Sequence, residues 1–193
     1  MTGVQTCALP IYAGPFTLTA SATVKAKAWK TGLTPSAVAS ANFTITPTLS
    51  NLTLTPSLEA LLAIPPSTPF SLIFLDPGTS NVRHSSSYTT NASGRIVIAS
   101  LPIPAGTYDI RVASSYSLSR KMIGALLASG ATLTLPTLFA GDLDQNNAVN
   151  TLDWGMMNTK WFTNDPVADI NQDTLVNTID FSYMNRNWGR TGE

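Results

Sequence analysis

The chain has 193 residues, a length that allows one or two ordinary domains and excludes a large multidomain enzyme. Apolar residues make up 44% of it, enough for a buried core, whereas charged residues make up only 11%, far below the roughly 25% of an average globular protein. Because eleven basic and eleven acidic side chains cancel, the composition argues against a nucleic-acid partner. No apolar run is long enough to span a membrane.

The first eleven residues read MTGVQTCALPI. This string, residues 1–11, resembles the translation of a short-read sequencing adapter, and an ordinary N-terminal strand is the alternative. A foreign segment is set aside before the fold is considered. Cys7 is the only cysteine, so a foreign origin leaves no disulfide or thiol chemistry in the chain. We then expect the natural N-terminal region, with its signal peptide, to be missing.

Residues 12–48 alternate between polar and apolar side chains in short runs, a pattern typical of half-buried strands. The predicted strands are Phe16–Thr19, Ala22–Trp29 and Ala41–Thr46. The run ATVKAKAWKTGLTPSAVASANFTI within residues 12–47 resembles the end of the β-sandwich module at the C-terminus of chitobiases and β-hexosaminidases. The resemblance implies a truncated module, and half a sandwich leaves strand edges unpaired.

Residues 50–138 read as a second all-β unit, a sandwich of about seven short strands separated by turn signals. The strands are predicted near 51–55, 69–76, 82–90, 94–101, 107–114, 119–128 and 131–138, the sixth with a short helix as its alternative. The stretch from Gly94 to Val112 resembles the prealbumin-like or immunoglobulin-like sandwiches that separate modules in secreted bacterial enzymes. The predicted fold class is mainly β, with a small α domain at the C-terminal end.

Residues that could carry catalysis are scarce in this sandwich. A glycosidase needs two carboxylates on either side of one bond, but Glu59, Asp76 and Asp109 fall in separate segments and are predicted to be solvated. His84 is the only histidine, and no Gly-x-Ser-x-Gly elbow accompanies it to form a hydrolytic triad. We therefore predict no enzyme activity for this chain, although a missing upstream region could be a glycoside hydrolase.

The zero net charge hides an asymmetry between two parts of the chain. Residues 1–140 carry eight bases and three acids, whereas residues 141–193 carry three bases and eight acids. Within the acidic part, residues 140–190 contain a repeat with an offset of 27, in which DLDQNNAVNTLD aligns with DINQDTLVNTID. Six of the eight acids lie in these two segments, so we expect the function of this part to lie there.

Each twelve-residue segment carries oxygen-bearing side chains at positions 1, 3, 5, 9 and 12. An EF-hand loop surrounds calcium, a hard cation that takes six to eight oxygens, with this spacing and adds the backbone carbonyl of position 7. The pattern predicts two bound calcium ions (Ca²⁺). The predicted ligands are Asp142, Asp144, Asn146, Asp153 and the carbonyl of Ala148 in the first loop, and Asp169, Asn171, Asp173, Asp180 and the carbonyl of Leu175 in the second, with Asn150 and Asn177 binding directly or through water.

Two features of the loops depart from the EF-hand pattern. Position 12 is aspartate rather than glutamate, so its shorter side chain must come closer to the ion. Position 6, where the pattern has glycine, is Asn147 in one loop and Thr174 in the other, and a β-branched residue is strained in left-handed backbone. The second site is therefore predicted to be the weaker one. The alternative interpretation of both segments is a pair of Asx-rich turns that cap helices.

A short helix is predicted after each loop, from Thr151 to about Phe162 and from Thr178 to about Asn187. Each helix carries an apolar stripe at i, i+3 and i+7. The stripes are Trp154, Met157 and Trp161 in the first helix, and Phe181, Met184 and Trp188 in the second. No long helix is expected before the first loop, since the preceding run reads as a strand that ends at Pro136.

An EF-hand that lacks its entering helix and is duplicated with a short linker resembles the type I dockerin domain. The resemblance covers Gly141–Gly189 and includes the Gly-Asp opening and the ADINQD start of the second copy. It implies that the partner is a cohesin domain of a scaffoldin or surface protein, bound in either of two orientations. The partner-binding residues that it implies are Thr151, Leu152, Thr159 and Lys160 in the first copy and Thr178, Ile179, Arg186 and Asn187 in the second.

Two functional hypotheses result. The first is a calcium-binding interaction module of a secreted bacterial protein associated with polysaccharide degradation, docking onto a cohesin in a cellulosome. The alternative is a calcium-stabilised structural or carbohydrate-binding C-terminal region with no cohesin partner, in which the 50–138 sandwich would bind a polysaccharide. Both hypotheses predict an extracellular or cell-surface location.

Overall fold

The computed structural model of the protein describes residues 14–45 and 48–193, and these belong to two separate units. The adapter-like segment, residues 1–11 with Cys7, lies outside the described residues, as does the Thr46 end of the third predicted strand.

The first unit contains one antiparallel strand pair, β1 (Ala22–Ala26) and β2 (Ala39–Phe43). Ala22 lies opposite Phe43 in this pair. The predicted alternation holds only in β1, where Ala22 and Val24 are half-buried between exposed neighbours, whereas every residue of β2 is exposed. The predicted strand at Phe16–Thr19 is wrong, since these residues form no ladder. Alternation alone does not make a strand, because the backbone N–H and C=O groups also need a neighbouring strand to bond with.

The second unit contains seven strands, close to the seven that were predicted. They are β3 (Leu49–Leu58), β4 (Pro69–Leu75), β5 (Val82–Thr89), β6 (Ile96–Leu101), β7 (Gly106–Ser114), β8 (Arg120–Leu127) and β9 (Thr132–Leu138). They form a three-stranded sheet, β6–β3–β9, and a four-stranded sheet, β5–β4–β7–β8. Strands β3 and β9 are parallel and all other neighbours are antiparallel. The segment for which a helix was the alternative is thus a strand, β8.

The core of the sandwich lies between the two sheets and follows from the period-2 alternation of the strands. In β4, Phe70, Leu72 and Phe74 are buried on the inner face, whereas Ser71 and Ile73 alternate with them. Burial of each such large apolar side chain stabilises the fold by about 1.5–3 kcal/mol. The same alternation supplies Leu52 and Leu54 from β3, Ile96 and Ile98 from β6, and Ile110 and Val112 from β7.

Strand β9 matches the strand predicted over 131–138, and it continues past Pro136, where the run before the first loop was also interpreted as ending. The register between β3 and β9 shifts between Thr55 and Ser57, so that Pro56 and Pro136 both fall in this irregularity. A proline has no N–H to donate, and none is required where the ladder is interrupted by a bulge, as it is here for Pro56 of the central strand and Pro136 of the edge strand.

The carboxylate of Asp109 is buried and structural, so the prediction that it is solvated is wrong. Its Oδ2 accepts a hydrogen bond of 2.9 Å from the N–H of Gly78, and its Oδ1 one of 2.9 Å from the N–H of Gly124. The N–H of Gly124, and next that of Gly78, hold the pKa of Asp109 below its usual value. Asp109 thereby joins the turn after β4 to β8 across the four-stranded sheet.

Two helices follow the sandwich, α1 (Thr151–Thr159) and α2 (Thr178–Arg186). The first helix ends three residues before the predicted Phe162, whereas the second ends within one residue of the predicted Asn187. Phe162 and Gly189, three residues beyond the helix ends, adopt left-handed backbone with φ of 61° and 75°. No helix in the described ranges is long and apolar enough to cross a membrane.

The two helices share a second apolar core with the end of the sandwich. Met157 and Met184 are fully buried in it, and the ring of Trp154 lies 4.7 Å from that of Phe181. The stripe prediction is wrong at Trp188, which lies beyond the end of α2 and is 42% exposed. The buried members of this core are Leu118, Ala140, Leu143, Val149, Met157, Ala168, Ile170, Val176 and Met184.

Candidate metal centre

The two repeated segments form loops of the same shape, each ending at the start of a helix. Positions 4 and 6 adopt left-handed backbone in both copies, with φ of 59° and 67° at Gln145 and Asn147 and of 59° and 78° at Gln172 and Thr174. The sequence indicated the turn at position 6 but gave no sign of the one at position 4, where glutamine replaces the usual glycine or asparagine.

Three carboxylates of the first loop converge. One oxygen each from Asp142, Asp144 and Asp153 lies within 4.8 Å of the others. Asp153 is fully buried, and its Oδ1 accepts hydrogen bonds of 2.7 Å and 3.2 Å from the N–H groups of Leu143 and Asp144. Hard oxygen donors gathered in this way are the ligand set that calcium takes.

Asp142 has one oxygen that the protein leaves unpaired. Its Oδ2 accepts a hydrogen bond of 3.0 Å from the N–H of Asn147, but its Oδ1 is buried with no hydrogen-bond partner. Burial raises the pKa of this carboxyl to about 6; the N–H of Asn147 opposes the shift, and the charges of Asp153 and Asp144 add to it. A buried, unpaired carboxylate oxygen is costly, and a cation at this point would satisfy it.

The remaining predicted ligands of the first loop are already engaged in local hydrogen bonds. The amide of Asn146 donates to Asp144 Oδ2 at 2.8 Å, and its Oδ1 accepts from the N–H of Ala148 at 2.8 Å. The side-chain oxygen of Asn150 caps α1, and Asp153 Oδ2 accepts from the N–H of Asn150 in return. The capping interpretation and the converging carboxylates therefore occur in the same loop.

The second loop has the same backbone but a different hydrogen-bond balance. Both oxygens of Asp169 are paired, Oδ1 with the N–H of Asp173 at 3.1 Å and Oδ2 with the N–H of Thr174 at 2.8 Å. Asn171 donates its amide to Asp173 Oδ2 at 2.8 Å. Within residues 14–45 and 48–193, a cluster of three converging carboxylates occurs in the first loop alone.

The far end of the second loop matches that of the first. Asp180 is fully buried and accepts at Oδ1 from the N–H of Asn171 and at Oδ2 from the N–H of Asn177. Asn177 caps α2 and donates its amide to the carbonyl of Leu175 at 2.9 Å. Hydrogen bonds thus link the predicted ligands of the second loop as they do in the first, but the three carboxylates converge in the first loop alone. The calcium ligands and the weaker affinity of the second site stay predictions.

Each loop is bonded to the chain that leaves the helix of the other copy. Val176 in the second loop exchanges two hydrogen bonds of 2.9 Å with residues 162–163, which follow α1. Val149 in the first loop exchanges bonds of 2.8 Å and 2.9 Å with residues 189–190, which follow α2. The two copies therefore form one interlocked body.

The helical region is also bonded to the sandwich through Glu59, just beyond the end of β3. Glu59 Oε2 accepts hydrogen bonds from the amide of Asn187 at 2.5 Å and from the N–H of Ala140 at 3.2 Å, and its Oε1 lies 3.3 Å from Arg186 Nη1. The prediction that Glu59 is solvated is therefore wrong, because Glu59 joins the sandwich to the helical region. Because its partners are more than 80 residues away, no local pattern could have revealed it.

Most of the residues predicted to bind a partner are exposed. Leu152 and Ile179, at equivalent positions near the helix starts, are 62% and 50% exposed. The other exposed members are Thr151, Thr159, Lys160, Thr178 and Arg186. Asn187 is the exception: it is fully buried against Glu59, and its prediction as a partner-binding residue is wrong.

Comparison with known proteins finds likeness at the level of the fold. Two similar solved structures are type II cohesin–X-dockerin complexes from Acetivibrio cellulolyticus, a C-terminal interface mutant and an N-terminal interface mutant. The matched chains are 18% and 17% identical to this one, with TM-scores of 0.55 and 0.53, and each match covers 74% of this chain and 97% of the other. No family model matches the sequence, and no curated protein does.

At this level of identity the likeness shows the fold, a mainly β architecture with a sandwich like that of a chain in cohesin–dockerin complexes. These neighbours are assemblies of interaction domains rather than enzymes.

Proposed function

We propose that residues 141–190 form a calcium-stabilised interaction module of the dockerin type, which docks onto a cohesin domain. The observation that carries the proposal is the duplication of one geometry. Both 27-residue copies place buried aspartates at loop positions 1 and 12 and an exposed hydroxyl–apolar pair at the helix start. A structural turn has no need of the unpaired Oδ1 of Asp142, whereas a metal site does.

Calcium is the ion that the donor set favours, since all side-chain donors are carboxylate or amide oxygens. A calcium ion bound in each loop would offset the negative charge of the three carboxylates there. The residues that would hold the two ions are Asp142, Asp144, Asn146, Ala148, Asn150 and Asp153, and Asp169, Asn171, Asp173, Leu175, Asn177 and Asp180.

The proposed partner surface consists of the helix starts. Leu152 and Ile179 expose branched apolar side chains next to Thr151 and Thr178, and such side chains are suited to contact with a partner surface. The symmetry holds at the helix starts but not at the helix ends, where Lys160 is exposed and its equivalent is buried.

The comparisons support this proposal because the similar solved structures are cohesin–X-dockerin complexes. The sandwich spans residues 49–138, less than half of the chain, so matches over 74% of the chain extend beyond it. The matched complexes contain cohesin and X-dockerin domains. We accordingly propose an extracellular or cell-surface location and a role in a polysaccharide-degrading assembly.

The test is capture of cohesin domains by the full chain, with calcium and with chelator. We expect capture in calcium only, and we expect Leu152→Asp combined with Ile179→Asp to abolish it while calcium binding persists. Leu62→Asp is the matched control, because Leu62 is equally apolar and fully exposed but lies before β4. Cohesin capture by the double variant at the level of the parent would contradict the proposal, and the two single variants distinguish one binding orientation from two.

A structural role without a cohesin partner is the second candidate. The observation in its favour is the shared core, in which Leu118 of the sandwich and Ala140, just after β9, pack with the helices. If calcium raises the thermal unfolding temperature of the full chain but no cohesin is captured, this structural role is the better account.

A further inference from the structure

A cavity of about 370 Å³ lies where the start of β8 meets the chain that leaves α2. Its walls come from three segments that are distant in sequence. They are Leu118, Ser119 and Arg120; Phe139; and Gly189, Arg190, Thr191 and Glu193. Its volume is in the range of about 300–1,000 Å³ that is typical of small-molecule sites.

Two guanidinium groups in this cavity pack against one aromatic ring. The guanidinium carbon of Arg120 lies 4.7 Å from the ring centroid of Phe139, and that of Arg190 lies 4.5 Å from it. Arg120 also donates to the carbonyl of Thr137 at 3.3 Å. Contact with the face of an aromatic ring restricts the rotation of a guanidinium group. The N–H groups at the edge of the guanidinium remain free to bind an acceptor.

Neither guanidinium is neutralised. The ion pairs of the described residues involve other side chains, and no carboxylate of the described part lies within 4.0 Å of Arg120 or Arg190. Glu193 is the acid in the lining, but its Oε2 accepts from the N–H of Lys121 at 2.9 Å and its main-chain oxygen from the hydroxyl of Ser119 at 2.7 Å. The cavity therefore presents two guanidinium groups without an ion-pair partner, while the oxygens of Glu193 are bonded to Lys121 and Ser119.

We propose that this cavity binds a small oxyanion, either a carboxylate or a phosphate group, with Arg120 and Arg190 as its ion-pairing residues. Guanidinium groups bind both kinds of oxyanion through paired N–H groups, and their charge assistance makes such bonds short and strong. Thr191 also lines the cavity. The site adjoins the first loop, since Ser119 donates to Asn147 and Val149 is bonded to residues 189–190, but it uses none of the predicted calcium ligands and none of the residues at the helix starts proposed to bind a cohesin.

The test is calorimetric titration of the full chain with inorganic phosphate, with digalacturonate and with neutral galactobiose, at matched ionic strength and a constant low calcium concentration. We expect at least one anion to bind and galactobiose not to bind. Arg120→Gln and Arg190→Gln should each weaken binding about tenfold or more, because each removes a charge-assisted hydrogen bond. Binding of digalacturonate alone would identify a carboxylate ligand, and binding of phosphate alone a phosphate ligand.

Arg95→Gln is the matched control, since Arg95 is an exposed arginine on the turn before β6 and should leave anion binding unchanged. Arg190→Lys keeps the charge but loses the planar guanidinium, so it should bind the anion more weakly than the parent even if a glutamine variant fails to fold. The proposal is overturned if neither anion binds, if the double glutamine variant still binds, or if Arg95→Gln loses as much affinity.

Discussion

Asp142 and Asp169 occupy the same position of the two loops, but they differ in the hydrogen bonding of one carboxylate oxygen. The Oδ1 of Asp142 is buried and unpaired, whereas both oxygens of Asp169 accept backbone N–H groups. An unpaired buried oxygen destabilises the metal-free fold, and this difference can be measured.

We predict that Asp142→Asn raises the free energy of unfolding of the metal-free protein by about 1–3 kcal/mol, the usual cost of leaving a buried polar group unpaired. The new amide can donate to Asp144 or Asp153, whose oxygens lie within reach. The same change should weaken calcium binding at this loop. Urea unfolding in chelator and calorimetric calcium titration measure both effects.

Asp169→Asn is the matched control for that experiment and should give no gain in the metal-free state, since its oxygens are already paired. A loss of metal-free stability in Asp142→Asn, with calcium affinity unchanged, would show that Asp142 has a structural role only.

Thr174 carries a strain that Asn147 does not. Both lie in left-handed backbone, with φ of 78° and 67°, but asparagine tolerates this region and a β-branched residue does not. We predict that Thr174→Gly tightens the weaker calcium site by about fivefold to thirtyfold, which corresponds to release of roughly 1–2 kcal/mol of strain. Calorimetric titration with calcium measures the change.

Asn147→Gly serves as the comparison and should bring no gain, because Asn147 Oδ1 also accepts a hydrogen bond of 2.8 Å from the N–H of Ser119. If Thr174→Gly leaves both calcium affinities unchanged, position 6 does not explain the inequality of the loops.

At the scale of elements, neither helix could persist alone. Each has nine residues, fewer than the roughly 12–15 at which an isolated helix becomes marginally stable. The capping boxes of Asn150 and Asn177 and the buried methionines compensate for this shortness. Tertiary packing therefore holds α1 and α2, and a core substitution should affect the whole helical region.

We predict that Met157→Ala lowers the free energy of unfolding by about 2–5 kcal/mol, since it leaves a cavity at a fully buried position. The neighbouring Met156 is 39% exposed on the same helix, and Met156→Ala should cost much less. Urea unfolding followed by circular dichroism compares the two variants. Equal losses would contradict the assignment of Met157 to the core.

At the scale of the second unit, residues 48–193, Glu59 determines how far the sandwich and the helical region unfold together. We predict that Glu59→Ala separates one thermal transition into two, because it removes hydrogen bonds to Asn187 and Ala140 at once and leaves the Asn187 amide in a buried setting. Differential scanning calorimetry of the full chain detects the separation.

Asp76→Ala is the control for this prediction, as it removes a surface ion pair with Arg83 that is worth at most about 1 kcal/mol. A single transition in Glu59→Ala, shifted no further than in the control, would show that the apolar core alone couples the two parts.

The features that the sequence predicted are those written in local spacing. Alternation indicated the seven strands, and the 27-residue repeat indicated loops that bring Asp142, Asp144 and Asp153 together. Contacts between distant segments were beyond reach. No residue near Glu59 in the sequence indicates its contact with Asn187, 128 residues away. Glu59 was therefore expected to be solvated, and Asn187 was expected to bind a partner.

Neither copy of the repeat is complete by itself. Val149 and Val176 each need the exit segment of the opposite copy, so a chain with one copy would present an unsatisfied loop and an unsatisfied exit. Two identical single copies could meet both needs only as a homodimer, and the duplicated chain is in effect such a dimer with a covalent tether. Because the two copies lie on one chain, their pairing is an intramolecular step rather than an association of two molecules. The pairing of the copies therefore does not depend on protein concentration, and the module stays folded at any dilution.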